Sequence, residues 1–290
     1  MKETTALAPD IEKDWDLIIE PRRSLLDLRI GELWQYRDLV MLFVRRDFVA
    51  AYKQTILGPL WYLIQPLLTT ITFTVIFGQI ASLPTDGLPQ FLFYMSGTVL
   101  WSYFADCLTK TSNTFVANSQ LFGKVYFPRL AVPVSILISN LITFAMQFGF
   151  FLLFVGYFAL RGAQICPNLW ILAFPLLLLI MAGLGLGLGV LISALTTKYR
   201  DLRFLVSFGV SLLMYATPVI YPASSVPERF QLLIRLNPVT PIVETFRYGF
   251  LGSGSVSVWG LAYSVVFMLA AVALGAVVFN RVEATFMDTV

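Results

Sequence analysis

The sequence predicts an all-α integral membrane protein with six transmembrane helices, an N-terminal amphipathic interface helix, re-entrant outer helices between spans five and six, and both termini cytoplasmic. Three observations carry this prediction. Hydrophobic residues make up 58% of the 290 and charged residues only 13%, more apolar material than one soluble core of this size requires. Six runs nearly free of charge, at 60–81, 89–109, 131–159, 169–195, 204–221 and 257–279, approach or exceed the ~20 residues that cross a ~30 Å hydrocarbon core. Lys and Arg concentrate in alternate connections, as the positive-inside rule requires.

Taken in order, residues 1–25 are polar and of mixed charge (Lys2, Glu3, Asp10, Glu12, Lys13), without the basic start, short apolar run and cleavage site of a secretory signal. A cytosolic tail is expected there. An interface segment follows over 26–59. Within it Tyr36, Val40, Phe43 and Val44 recur at helical spacing, which predicts a helix along the inner leaflet, acting either as a simple anchor or as a docking element. Its end, RRDFVAAYKQTILGPLWYLIQP, marks a water-lipid boundary. Arg45, Arg46, Asp47 and Lys53 require water or headgroups, Leu57, Gly58 and Pro59 break the chain, and Trp61 begins the first span.

The permease domain occupies 60–280, before a short cytosolic tail at 281–290. Lys110, Lys124 and Arg129 lie between spans two and three, Lys198, Arg200 and Arg203 between four and five, and Arg281 after the sixth. The outer connections hold no cation near Asp86, only Arg161 in the second, and Arg229, Arg235 and Arg247 in a longer third. Asp106 is the one acid inside a predicted span.

Two connections are more than linkers. In 111–129, Phe115, Val116, Leu121 and Phe122 sit among polar residues, which fits a short cytosolic helix seeking a partner surface or a loop dipping into headgroups. In 222–255, two short amphipathic pieces are divided by Asn237, Pro238 and Pro241: Phe230, Leu233, Ile234 and Leu236 on one, Ile242, Val243, Phe246 and Phe250 on the other. Neither is long enough to span, so a re-entrant hairpin is expected, with Glu244 and Arg247 spaced to pair across one turn.

Chemistry is constrained by what the chain lacks. Histidine is absent, so the commonest general base and transition-metal ligand are missing. Cys107 and Cys166 are far apart, and GKV at 123–125 lacks the flanking residues of a phosphate-binding loop. No catalytic, cofactor-binding or metal residues are assigned. The nearly charge-free spans also argue against an ion-coupled carrier. What remains is a passage for a polar substrate: Ser207, Ser211 and Tyr215 form a hydroxyl stripe at four-residue spacing, and Thr69, Thr70, Thr72 and Thr74 load the first span. The competing reading of these hydroxyls is interhelical hydrogen bonding, and Gly183, Gly185, Gly187 and Gly189 read as close helix packing.

Several collinear blocks complete the sequence reading: LWQYRDLVMLFVRRDF with YKQTILGPLWYLIQPLL, then FPRLAVP, KYRDLRFL, TPVIYPASSVP and NPVTPIVETFRYGFLG. In these blocks the chain resembles the membrane (permease) subunits of bacterial type 2 ABC exporters for lipid-linked polysaccharide, the O-antigen, capsule and teichoic acid exporters. The resemblance implies a homodimer in the bacterial inner membrane, a separate ATP-binding cassette ATPase that holds ATP and Mg, and a polyprenyl-diphosphate-linked glycan as substrate. It implies Phe115, Val116, Leu121 and Phe122 as ATPase-coupling residues, and Phe230, Glu244, Phe246 and Arg247 as an outer gate. Passage-lining candidates are Trp61, Tyr62, Thr69, Ser207, Ser211 and Tyr215. Arg45, Arg46, Lys53, Lys124 and Arg129 are candidates to face the diphosphate, although positive-inside topology explains each of them equally well. Export of a small lipid or drug, and a non-transporting role in glycan assembly, stand as alternatives.

Overall fold

The computed structural model of the chain describes residues 30–53, 55–122, 127–198 and 201–289, and these contain no β-strand. Helices α1 (Ile30–Gln35) and α2 (Arg37–Tyr52) form one rod bent at Tyr36, whose N–H still donates to the Glu32 carbonyl. Gly58, at φ 53°, turns the chain into a short 3-10 segment (Gly58–Leu60) and then α3 (Trp61–Phe73). Pro66 lies inside α3, the Thr70 and Thr74 hydroxyls bond back to carbonyls four residues earlier, and the helix widens into a π-helical stretch, Thr74–Ile80. The Gly78 carbonyl in that stretch is bonded by Gln90 Nε2 at 3.0 Å.

Four helical runs are long and apolar enough to cross a membrane: Gly58–Ile80, Ala131–Leu160, Leu169–Thr196 and Val258–Arg281. They contain α3, α7 (Ala131–Leu160), α8 (Phe174–Lys198) and most of α12 (Val258–Thr289). The other two predicted spans behave differently. The second is α4 (Gln90–Ser112), whose 23 residues give about 34 Å of length, but whose polar content is higher. Leu92 to Trp101 are all buried, so every face of that stretch of α4 is covered by protein, while Asp106 and Lys110 nearer its end are half exposed. The fifth run is helical only as α9 (Leu202–Tyr215), 14 residues and about 21 Å, and beyond Tyr215 the chain turns.

Helix α4 is the axis of the bundle, and α8 packs between it and α12. The glycines of α8 make this approach possible. A Cβ on Gly185 would sit 2.6 Å from the Cys107 Cβ and one on Gly189 2.6 Å from the Thr111 Cβ, both on α4. One on Gly187 would lie 2.6 Å from the Val272 nitrogen on α12, and one on Gly183 would strike Met268. The alternating glycines therefore serve two neighbours, and their reading as packing residues holds.

At the α2 end, Val40, Phe43 and Val44 are buried, and the first two join a cluster with Phe127, Ala131, Val132 and Ile136 of the loop and α7. This face is covered by the chain's own α7. The connection after α4 forms α5 (Thr114–Ala117) and α6 (Ser119–Phe122). Phe115 and Phe122 point into the same cluster, where Phe115 stacks on Phe279 of α12 with ring centroids 4.8 Å apart. Two of the four coupling residues are thus interior. Apolar rings that looked short of a partner find one within the chain, while Val116 and Leu121 are half-buried.

At the opposite end, α10 (Glu228–Leu236) and α11 (Thr240–Leu251) form the two short helices expected of 222–255, and the break lies at 237–239. Pro241 falls within the first turn of α11, where its missing N–H costs nothing, so it starts the helix and does not divide it. Helix α11 is buried nearly all round, not amphipathic as expected, because charged Glu244 and Arg247 are satisfied inside the fold.

Gly187→Leu should force α8 and α12 apart and lower the melting temperature of the purified permease, by the equivalent of about 1–3 kcal/mol for overpacking. Gly149→Leu, at a site where an added Cβ meets nothing within 4 Å, should melt with the parent protein.

Candidate functional site

A polar cavity of about 410 Å³ opens where α2, α3, α4 and α7 converge. Burial of Val40, Phe43 and Val44 against α7 carries Arg46, Asp47 and Phe48 to its wall, and the break at Gly58 brings in Tyr62. Thr109, Lys110 and Asn113 at the end of α4 and Ser139, Asn140 and Thr143 on α7 complete the opposite side. Lys110 Nζ donates to Asn140 Oδ1 at 2.7 Å and pairs with Asp106 at 3.1 Å. Arg46 pairs with Asp47 at 2.8 Å and lies over the Phe43 ring at 4.9 Å. The Ser139 hydroxyl is buried without a hydrogen-bond partner.

The two cations are each held by one carboxylate and each remain about half exposed. Exposed ion pairs of this kind are worth only ~0–1 kcal/mol, so an anion offering stronger charge-assisted bonds can take the place of the carboxylates. Together Arg46 and Lys110 place two half-exposed cations, each beside a carboxylate, at one cavity.

Among the sequence-selected cations, only Arg46 lines this cavity. Arg45 and Lys53 lie on the exposed surface, the Arg129 guanidinium sits over the Phe122 ring at 5.8 Å, and Lys124 lies outside the described residues. The sequence reading treated Lys110 as topology only and passed over Asn140. Two signals were available: Lys110 follows the single span acid by four residues, and Asn140 is an amide in the otherwise apolar α7 run.

The passage candidates other than Tyr62 face out of the bundle. Trp61 and Thr69, with Gln65, Leu68, Thr72 and Phe73, line a groove of about 440 Å³ on α3, while Tyr62 lines the polar cavity. Ser207, Ser211 and Tyr215 are all exposed on α9, and Ser211 Oγ donates to the Ser207 carbonyl of its own helix at 3.0 Å. Interhelical bonding is realised elsewhere, between the Thr70 and Thr98 hydroxyls at 3.2 Å. The first-span threonines thus divide between a packed face and an open one.

At the other end Arg247 is 1% exposed and forms a hub. Its guanidinium donates to the carbonyls of Pro218 and Val219 and to Ser96 Oγ, and lies 3.8 Å from the Phe93 ring centroid. Gly97 leaves the space, since a Cβ there would be 2.7 Å from Arg247 Nη2. Glu244 Oε1 stands 3.8 Å from Arg247 Nη1, and its carboxylate also accepts from the Ala223 and Ser255 N–H groups. Burial pushes the Glu244 carboxyl above its usual range, against the pull of Arg247. Phe246 packs against Phe250 at 4.7 Å and Phe151 at 5.6 Å, whereas Phe230 is 48% exposed on α10. Of the four outer-gate residues, three are therefore parts of a packed interior.

The family described as ABC-2 type transporter matches residues 38–251, from the start of α2 to the end of α11. The chain belongs to the ABC-2 type transporter family. This ABC-2 permease is similar to the O-antigen export system permease protein RfbA of Klebsiella pneumoniae, 27% identical over 87% of this chain and 94% of that protein. It is similar to the RfbA of Myxococcus xanthus, 27% identical over 75% and 82% respectively. The inner membrane transport permease YadH of Escherichia coli K12 is 25% identical over 72% of this chain and 83% of that one. ABC-2 permeases are inner-membrane multi-pass proteins that normally work with a separate ATP-binding subunit.

Replacing Arg247 with Met should leave the Pro218 and Val219 carbonyls and the Glu244 charge unpaired, at a cost of about 3–5 kcal/mol. The expected result is loss of the monodisperse folded peak in detergent chromatography, with Gly97→Val producing the same outcome by displacing the guanidinium.

Proposed function

We propose that this permease is the transmembrane subunit of an ATP-driven exporter that moves polyprenyl-diphosphate-linked polysaccharide, of the O-antigen class, from the cytoplasmic to the outer side of the inner membrane. The observation that carries the proposal is similarity over 87% and 75% of this chain to the O-antigen export permeases of Klebsiella pneumoniae and Myxococcus xanthus. The cavity with Arg46 and Lys110 supports it, because a diphosphate presented at the leaflet boundary needs two cations within one concave site.

In this reading both termini are cytosolic, and α4 and α9 with its following turn complete six spans. The α10–α11 pair is the re-entrant outer element. Two copies form the passage, with the open faces of α3 and α9 turned towards it; these faces carry Trp61, Thr69, Ser207, Ser211 and Tyr215. The chain itself holds no nucleotide. ATP and Mg bind the partner ATPase, which engages the α1–α2 and α5–α6 end, and its closure shifts the permease towards an outward-open population. The diphosphate enters at Arg46 and Lys110, its phosphates displacing Asp47 and Asp106, with Arg45, Lys53, Lys124 and Arg129 adding cytosolic attraction.

The similarity to YadH, described only as a transport permease, keeps export of a small lipid as a second reading. Deletion of the gene separates the readings. Finished lipid-linked polymer should accumulate on the cytoplasmic side of the membrane, whereas unchanged glycan distribution supports a small-lipid cargo and loss of polymerisation indicates a role in synthesis. Arg46→Ala with Lys110→Ala should cut export at least tenfold at unchanged membrane insertion, since each charge-assisted bond is worth about 1.5–3 kcal/mol.

A further inference from the structure

A second cavity, of about 660 Å³, lies at the end of the bundle opposite Arg46, between the loop carrying Asp86, helix α10 and the start of α11. Its size falls within the ~300–1,000 Å³ of small-ligand sites. The Thr240 side chain lines it, and the residue is only 7% exposed, yet its hydroxyl has no hydrogen-bond partner. A buried hydroxyl without a partner costs about 1–3 kcal/mol, which a ligand met by rotation of the Thr240 side chain would recover.

The charges in the wall select the kind of ligand. Asp86 and Glu244 contribute carboxylates and Arg235 a guanidinium, while Arg247 stands 3.8 Å behind Glu244. A cation would meet Arg235, and an anion would meet two carboxylates that the Ser224 hydroxyl and the Ala223 and Ser255 N–H groups hold in place. The remaining polar groups can both donate and accept. Gln231 contributes an amide, and Ser257 Oγ accepts from the Gly260 N–H at 3.0 Å, which leaves its own proton available. The site is also held in place. Asp86 adopts a left-handed backbone conformation, φ 49°, its carboxylate accepts from Ser224 Oγ at 3.0 Å, and its carbonyl accepts from Ser253 Oγ at 3.1 Å. A carboxylate so fixed keeps free lone pairs directed at a ligand's hydroxyls.

We infer that this cavity is a binding site for a neutral, polyhydroxylated sugar unit, which accepts from Thr240, Gln231 and Ser257 and donates to Asp86 and Glu244. The inference rests on the export reading for the source of that sugar, a residue of the glycan as it reaches the outer face; the chemistry comes from the wall of the cavity. Sugar binding here would bias movement outward, since a segment held on the outer side does not slip back.

The test uses the full-length permease in lipid nanodiscs, with the methyl glycosides of mannose, galactose and rhamnose as probes. Saturation-transfer NMR should show contact with at least one glycoside. Thr240→Val and Gln231→Ala, on different helices, should each weaken that binding roughly tenfold, about the loss of one hydrogen bond to the ligand, with unchanged melting temperature. Absence of transfer from all three glycosides, transfer undiminished in both variants, or displacement by inorganic phosphate or calcium would overturn the inference. Cytoplasmic accumulation of polymer on gene deletion without sugar binding removes this site and leaves the export reading intact. Sugar binding in a permease whose deletion leaves glycan distribution unchanged has the reverse meaning.

Discussion

The fold depends on how backbone carbonyls are satisfied where the chain stops being helical in apolar surroundings. Lipid supplies no hydrogen-bond donors, so each carbonyl freed by a helix break needs a protein donor. After α9 the chain turns through Thr217 and Pro218, and Arg247 supplies donors to the carbonyls of Pro218 and Val219. Asn237 bonds the Ala216 carbonyl and the Thr217 hydroxyl, and Tyr221 bonds the Tyr215 carbonyl. The turn between α10 and α11 is closed in the same manner by Tyr263 and Ser264 of α12. One buried cation therefore joins α4, the end of α9 and α11 into a unit, and its cost in desolvation is offset by Glu244, Ser96 and the Phe93 ring.

The opposite end is held differently, by rings. Phe43, Phe127, Phe122, Phe115 and Phe279 follow one another at centroid distances from 4.8 to 5.9 Å, linking α2, the 127–130 loop, α6, α5 and α12. This arrangement bears on how a permease responds to its ATP-binding partner. In the proposed reading, a push from that partner on α2 or α6 would be delivered into a continuous packed body, because interiors at crystal-like density transmit displacement and do not absorb it. The cavity that holds Arg46 and Lys110 sits at the edge of that body, where Ile136 lines it and the Arg46 guanidinium lies over the Phe43 ring.

Much of this was legible in the chain. Leu60 onward, the α7 and α8 runs and the last helix are apolar over a length that only a membrane-spanning helix uses, and the breaks at Gly58–Pro59 and Asn237–Pro238 follow from residues whose backbone options are few. The alternate glycines of α8 announced close packing, and Glu244 and Arg247 announced a pair. Other features were hidden because a one-dimensional pattern reports apolarity without reporting what covers it. Val40, Phe43, Phe115 and Phe122 read as surfaces awaiting lipid or a partner, and the fold buries them against one another. Lys110 read as a topology signal, and the cavity emerges only when α7 brings Asn140 to it.

The sequence by itself determined that the protein is helical and lives in a membrane, since both follow from local composition and the cost of placing charge in hydrocarbon. Only the tertiary structure decided that the Leu92 to Trp101 stretch of α4 is enclosed by its neighbours, that Arg247 is a structural hub and not an exposed outer charge, and that Arg46 and Lys110, 64 residues apart in number, share one cavity. The physical reason is that burial, hydrogen-bond satisfaction and the meeting of charges are relations between helices, and residues distant along the chain enter them only once the bundle has packed.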